Sequence, residues 1–260
     1  MHIFSSSNPK IKRLKQLSTK KSLCKKENIF LVEGEKEITF ALASNYRLKE
    51  LYVGGTLPAS LKNFTDLVVK LKADLLNSIL YRKDGDSLLA IFERKRHNLK
   101  DLKPTKDGIY FILESVEKPG NIGAILRTAD AIQAEAVILT NSNCDLYSPN
   151  AIRSSVGCLF SQKIALTQNE ELYQWLQENQ IKIFATDLQN SNNYLDENYT
   201  SATAFVLGTE NSGISDFWKK KAGKRIKIPM LGKNDSLNVS VAAAIFAFEA
   251  KRQRINEEPF

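Results

Sequence analysis

Apolar residues recur along this chain with two periods, and the two alternate. Ile11, Leu14 and Leu17 follow Asn8-Pro9 at helical spacing, with lysines around the rest of the cylinder. Asn supplies an N-cap and Pro suits the first helical position, so a short amphipathic helix is predicted there. Strands are predicted at 28–33, 48–53, 65–70 and 88–92, and helices at 35–44 and 72–78. That alternation predicts a small α/β domain. The stretch 93–108 (ERKRHNLKDLKPTKDG) is polar, charged and contains Pro104, and it reads as a linker.

From Ile109 the alternation restarts. Strands are predicted at 109–113, 135–139, 182–185, 204–207 and 225–228, and helices at 121–132, 149–157, 170–179 and 237–252. This predicts a second α/β domain with a mostly parallel sheet. The expected division is a first domain at 1–95, a linker at 96–108 and a second domain at 109–260. In the last helix Val239, Ala243, Phe246 and Ala250 share one face, beside the small run Ala242-Ala-Ala244. That stripe is core or a dimer interface, and the pattern does not separate the two. Trp175 and Trp218 read as packing residues.

Composition narrows the class. The chain has 260 residues, 43% apolar and 25% charged, as in a soluble globular protein. No stretch approaches the about 20 apolar residues of a membrane span. Residues 1–7 lack the apolar core of a signal peptide, so a cytoplasmic protein is expected. Three cysteines (Cys24, Cys144, Cys158) form no CxxC pair, and only His2 and His97 accompany them. No metal site is expected, and the thiols are expected to be free.

Charge adds more. Residues 1–26 hold Lys10, Lys12, Arg13, Lys15, Lys20, Lys21, Lys25 and Lys26 and no acid. Removing those eight from the 37 basic residues leaves 29, which balances the 29 acids, so the whole excess of +8 lies in the first 26 residues. A field so concentrated suits a polyanion, since each cation near a phosphate releases counterions. Lys10, Lys12, Arg13, Lys15, Lys20 and Lys21 are the candidate nucleic-acid contacts, with a solvated basic helix or a disordered tail as the alternative. Lys219, Lys220, Lys221, Lys224 and Arg225 form a second basic cluster, which reads either as a nucleic-acid contact or as a solvated face.

In parallel α/β sheets ligands sit beyond the carboxyl ends of the strands, so the segments there carry the candidate chemistry. Pro119-Gly-Asn-Ile-Gly123 is not a dinucleotide fingerprint, since its glycines are three apart. Gly208-Thr-Glu-Asn-Ser-Gly213 has P-loop spacing, but Ile214-Ser215 replaces the Lys-Ser/Thr that must follow. Nucleotide triphosphate hydrolysis is thereby rejected. Both histidines lie outside the expected second domain, so a Ser-His-Asp set is rejected too. What remains is Asn121 and Arg127, then Glu210, then Ser236, Asn238 and Ser240, on three loops. A domain without His or Cys chemistry suits a reaction that needs alignment more than proton relays, and methyl transfer from a sulfonium is one.

Three motifs stand in order: Asn121-Ile-Gly-Ala-Ile-Leu-Arg127, Leu207-Gly-Thr-Glu210-Asn-Ser-Gly213, and Ile228-Pro-Met-Leu-Gly followed by Ser236-Leu-Asn-Val-Ser240. With them the second domain resembles the SpoU (TrmH-type) RNA 2′-O-ribose methyltransferases of the SPOUT class. SPNAIRSSVG at 148–157 and Phe184-Ala-Thr186 also resemble family segments. The first 90 residues resemble the substrate-binding domain often fused in front, notably at 8–17 and Phe30-Leu-Val-Glu-Gly34. That front domain often carries an arginine near Leu23, where this chain offers only lysines, which supply charge without bidentate geometry.

The resemblance implies a trefoil-knotted catalytic domain, an exception to the no-knot rule, that binds S-adenosylmethionine and works as a homodimer. It implies cofactor contacts near Gly208, Ile228 and Leu237, with Thr186 and Met230 as further walls. It implies Arg127 as the catalytic residue, with Asn121, Glu210, Ser236 and Asn238 orienting arginine and ribose. Free arginine holds its proton far above neutral pH, so Arg127 is read as an anchor for phosphate and developing alkoxide in preference to a base. Pairing with Asp130 is its structural alternative. Asn121 reads alternatively as a helix N-cap, Glu210 as a cap or a counter-charge to lysines, and Ser236 as the cap of the last helix with Asn238 in its first turn. The glycines at 208 and 213 read as a close backbone approach to a ligand, or as turn geometry. The implied substrate is RNA, ribosomal RNA of the large subunit ahead of tRNA, with a non-catalytic RNA-binding or ribosome-assembly factor and a base-nitrogen methyltransferase as rivals.

Overall fold

The computed structural model describes residues 2–3, 7–81, 86–210 and 212–255. In chain order the elements are β1 (His2–Ile3), α1 (Pro9–Thr19), α2 (Lys21–Lys26), β2 (Ile29–Glu33), α3 (Glu35–Ala43), β3 (Leu48–Val53), β4 (Val68–Leu71), α4 (Ala73–Asn77) and β5 (Leu88–Glu93). There follow β6 (Ile109–Glu114), α5 (Pro119–Ala131), β7 (Ala136–Thr140), α6 (Pro149–Ser155), α7 (Cys158–Ser161), β8 (Ile164–Thr167), α8 (Asn169–Glu178), β9 (Lys182–Thr186), β10 (Asn192–Asn193), β11 (Thr203–Leu207), α9 (Asp216–Lys221), β12 (Lys224–Lys227) and α10 (Val239–Ile255). Short 3-10 turns lie at Ala59–Leu67, Leu99–Asp101 and Tyr194–Asp196.

The chain forms two compact units: Met1–Arg96 with Asp145–Ser161, and His97–Cys144 with Gln162–Phe260. The first is built on a five-stranded mixed sheet in the order β1-β4-β3-β5-β2. Asn8 caps α1, its Oδ1 accepting from the Lys10 amide at 2.9 Å, and Ile11, Leu14 and Leu17 are buried. Residues 145–161, placed in the second domain by the sequence reading, instead belong to this unit. Arg94 grips Asp145 through two guanidinium bonds of 3.0 and 3.1 Å, and the rings of Tyr147 and Phe160 stack on Phe30. An aromatic cluster of that kind outweighs the sequence neighbourhood of the segment.

The second unit holds a seven-stranded sheet in the order β10-β12-β9-β11-β6-β7-β8, and every pairing is parallel. Runs such as IYFILE (β6) and TAFVL (β11) are buried at every position, as strands covered on both faces must be. The 96–108 segment is not a free linker. Leu99 and Leu102 are buried in this unit's core, and the His97 carbonyl accepts from the Leu166 amide at 2.8 Å. His97 therefore opens the second unit, contrary to the sequence reading. The stripe Val239, Ala243, Phe246 and Ala250 is core. The opposite side of α10 leaves Val241 and Phe248 exposed.

Candidate active site

The sheet order explains how motifs far apart in sequence meet. The adjacent strands β12, β9, β11 and β6 deliver four neighbouring loops at their carboxyl ends, and three of them enclose a pocket of about 370 Å³. That volume falls within the usual span of small-ligand sites, about 300–1,000 Å³. Thr186, Gly208, Ile228, Met230 and Leu237 all line it, as do Glu210 and Ser236. Its apolar wall is made by Ile226, Ile228, Leu237 and Phe246, and its charged groups are Asp187, Glu210, Asp235, Lys219 and Lys227.

Gly208 is required by the loop itself. A Cβ there would stand 2.1 Å from the carbonyl of Gly213 and 2.4 Å from the Ile214 nitrogen. The turn closes through Thr209 and Gly213, which exchange amide–carbonyl bonds of 3.0 and 2.9 Å. Gly213 has open space around it but a φ of +66°, a backbone state that glycine adopts without penalty. Turn geometry thus requires both glycines, and both also line the pocket. Asn211 of the same motif lies outside the described residues. The Thr186 hydroxyl donates to the Val206 carbonyl at 3.0 Å, tying β9 to β11.

Beside the pocket three motif residues converge. The amide of Asn121, in the first turn of α5, donates to Glu210 Oε1 at 3.0 Å. Asn238 donates to the same oxygen at 2.8 Å and to Asn121 Oδ1 at 3.2 Å. Lys118 pairs with Glu210 Oε2. The Lys118 bond first, then the Asn121 bond, hold the Glu210 carboxyl below the usual carboxylate range. Lys118 went unnoticed in the sequence because its partner lies 92 residues away.

Three alternatives close at this point. Lys118 occupies the N-cap position of α5, with Pro119 in the first turn, so Asn121 is not the cap. Asn238, not Ser236, caps α10. Its carbonyl accepts from the Val241 and Ala242 amides at 3.0 Å, and its Oδ1 accepts from the Ser240 amide at 2.9 Å. Ser236 donates instead to Asp235 at 3.0 Å. Arg127 stands apart from this cluster. It is exposed, does not line the pocket and has no partner among the described residues. Asp130, its proposed mate, accepts from Gln162.

The basic candidates divide as well. Lys10, Lys12, Lys15, Lys20 and Lys21 are exposed on α1, α2 and the residue between them. Arg13 is instead held by Glu27 at 2.6 Å and Glu50 at 3.1 Å, which spends its guanidinium inside the unit. In the second cluster Lys224 pairs with Glu197, Arg225 with Asp187 at 3.5 Å, and Lys221 lies over the Tyr173 ring. Those three serve the fold. Among the described residues no group of His, Cys, Asp and Glu is placed to hold a metal, and no helix is long and apolar enough to cross a membrane.

Comparison with known proteins agrees with this architecture. Residues 108–248 match the SpoU rRNA Methylase family, and residues 8–90 match the MRM3-like substrate binding domain. The chain belongs to the SpoU family of RNA methylases. It is 28% identical to the 23S rRNA (guanosine(2553)-2′-O)-methyltransferase RlmP of Bacillus subtilis, over 96% of this chain and 98% of that protein. It is 36% identical to the tRNA (guanosine(18)-2′-O)-methyltransferase of Thermus thermophilus, over 63% of this chain and 84% of that one. Among solved structures, the AdoMet-bound rRNA methyltransferase of Sinorhizobium meliloti superposes with a TM-score of 0.89 at 29% identity, covering 97% of both chains.

Proposed function

We propose that this protein is an S-adenosylmethionine-dependent methyltransferase that modifies a ribose 2′-hydroxyl of large-subunit ribosomal RNA. The observation that carries the reading is the Asn121–Glu210–Asn238 cluster at the edge of a pocket of cofactor size. The pocket fits the cofactor chemically. Apolar side chains offer a wall for a nucleoside, carboxylates at Asp187, Glu210 and Asp235 suit a cationic ligand, and Lys219 and Lys227 suit its carboxylate. Thr186, Gly208, Ile228, Met230 and Leu237 are the residues that would hold it. When bound, S-adenosylmethionine supplies a methyl whose leaving group departs neutral.

The chain's own task is then to orient the hydroxyl and stabilise the oxygen as its proton passes to solvent. Arg127, exposed and without a partner among the described residues, is free to anchor phosphate and the developing alkoxide. Asn121 and Asn238 fix the Glu210 carboxylate at the pocket edge. The lysines of α1 and α2 hold RNA through its phosphates. The large-subunit reading is supported by RlmP, whose likeness spans both domains. The tRNA relative is more similar in sequence but matches over a smaller share of this chain, and this favours tRNA as the second reading.

The same reading extends to assembly. In this reading the catalytic domain carries the family's trefoil knot at its C-terminal end; the packing of α10 back onto α5, β6 and β11 supports it. The protein acts in the cytoplasm as a homodimer, with the exposed Val241 and Phe248 of α10 meeting the second copy. A sedimentation mass of one chain at micromolar concentration contradicts the dimer. Labelled methyl transfer to large subunits, small subunits and tRNA from a strain lacking the gene tests the substrate. Label in the large subunit alone is expected. Label only in tRNA favours the second reading, and RNA binding without transfer indicates a non-catalytic factor.

A further inference from the structure

At the carboxyl end of β6 lies a buried carboxylate that the mechanism above does not use. Glu114 is 3% exposed. Its Oε2 accepts from the Ser215 amide at 2.6 Å, and its Oε1 accepts from the Ser215 hydroxyl at 2.6 Å and the Asn169 amide at 2.5 Å. Asn169, also buried, accepts through Oδ1 from the indole of Trp218 at 3.0 Å, and Trp218 is fully buried. Among the described residues no lysine or arginine pairs with Glu114.

The position of this network gives it meaning. Glu114 ends the strand from which the chain runs to Lys118 and Asn121. Ser215 ends the loop that carries Gly208, Glu210 and Ile214, all of which line the pocket. One carboxylate therefore joins the roots of the two loops whose side chains meet at Glu210. We infer that Glu114 is a positioning residue that holds the 208–215 loop against the strand preceding Asn121, and so keeps the cofactor pocket in shape. This rests on the cofactor reading given above.

The direction of every bond is fixed by its neighbours. An indole N–H and a peptide N–H donate and cannot accept. Asn169 must therefore turn its oxygen to Trp218 and its NH₂ to Glu114. The residue at 114 must then accept from Asn169 on one side and from the Ser215 amide on the other. A carboxylate does both. A carboxamide of the same shape leaves one buried donor facing another, which is costly in a low-dielectric interior. If Glu114 only filled space, glutamine would serve equally well.

Calorimetric titration of the full chain with S-adenosylmethionine tests the inference, with thermal melts confirming that each variant is folded. Glu114→Gln is expected to weaken binding about tenfold. The Glu114→Gln/Asn169→Asp double variant restores the pattern with the polarity reversed. The new amide donates to the new carboxylate, which still accepts from Trp218. Its affinity is expected to return to within about threefold of the original. Unchanged affinity in Glu114→Gln overturns the inference, and so does a double variant no better than the single one. Where Glu114→Gln does not fold, Ser215→Ala removes only the hydroxyl bond. It must still weaken binding about threefold, and unchanged affinity overturns the inference equally. Failure of the unsubstituted protein to bind the cofactor at all sinks the cofactor reading itself, a result distinct from the others.

Discussion

Three side chains converge on the Glu210 carboxylate before any ligand arrives, and they set its charge. Because Lys118, Asn121 and Asn238 depress its pKa, the ionised form is favoured. The sign follows from linkage. The interaction is fully present above the ordinary carboxylate value of about 4.3 and is lost as pH falls through the depressed one. Cofactor affinity is thus expected to be flat from about pH 8 to pH 5 as far as Glu210 is concerned. Lys118→Ala removes the largest cause and moves the acid limb upward, toward about 4.3. Binding measured against pH in both proteins checks this, and an unmoved limb counts against the pairing. Arg127→Ala is expected to lower turnover at least a hundredfold, in the range of about 10²–10³ for a lost oxyanion donor, with cofactor affinity nearly unchanged. Lost cofactor affinity in that variant overturns the assigned role. The convergence of Asn121, Glu210 and Asn238 was foreshadowed by their three motifs. Lys118 and Glu114 were not legible, because their partners lie 92 and 101 residues away.

Elements were legible where the apolar pattern is clean, periodic in α1 and α10 and an unbroken run in β6. Short elements were not. β8 has four residues, and α9 (DFWKKK) reads as a basic cluster although Trp218 buries its other face. Backbone strain is likewise invisible to periodicity. Val156 ends α6 at φ 52° and ψ 33°, a left-handed conformation that a β-branched residue adopts at a cost. Val156→Gly is expected to stabilise the protein by about 1 kcal/mol, since relief of that strain outweighs the removal of a half-buried isopropyl group. Urea unfolding measures it, and a destabilised variant shows that side-chain packing dominates.

At the scale of the molecule, charge and chemistry occupy different units. The excess positive charge lies on α1 and α2, whereas the pocket lies in the parallel sheet. Replacing Lys10, Lys12 and Lys15 by alanine is expected to weaken RNA binding and flatten its salt dependence, by about 0.7 in the log–log slope for each phosphate no longer neutralised. Cofactor affinity should stay the same. An unchanged slope removes α1 from the RNA surface. The charge asymmetry was readable from the sequence at once. The transfer of 145–161 to the first unit was not, because it depends on Tyr147 and Phe160 finding Phe30 across more than a hundred residues of chain.

The measurement that bears most directly on the central claim is nucleoside analysis of RNA methylated by this protein with labelled S-adenosylmethionine. The account predicts label on a 2′-O-methylated nucleoside, dependent on Arg127. Label on a base nitrogen, or no label in any RNA that the protein binds, contradicts it.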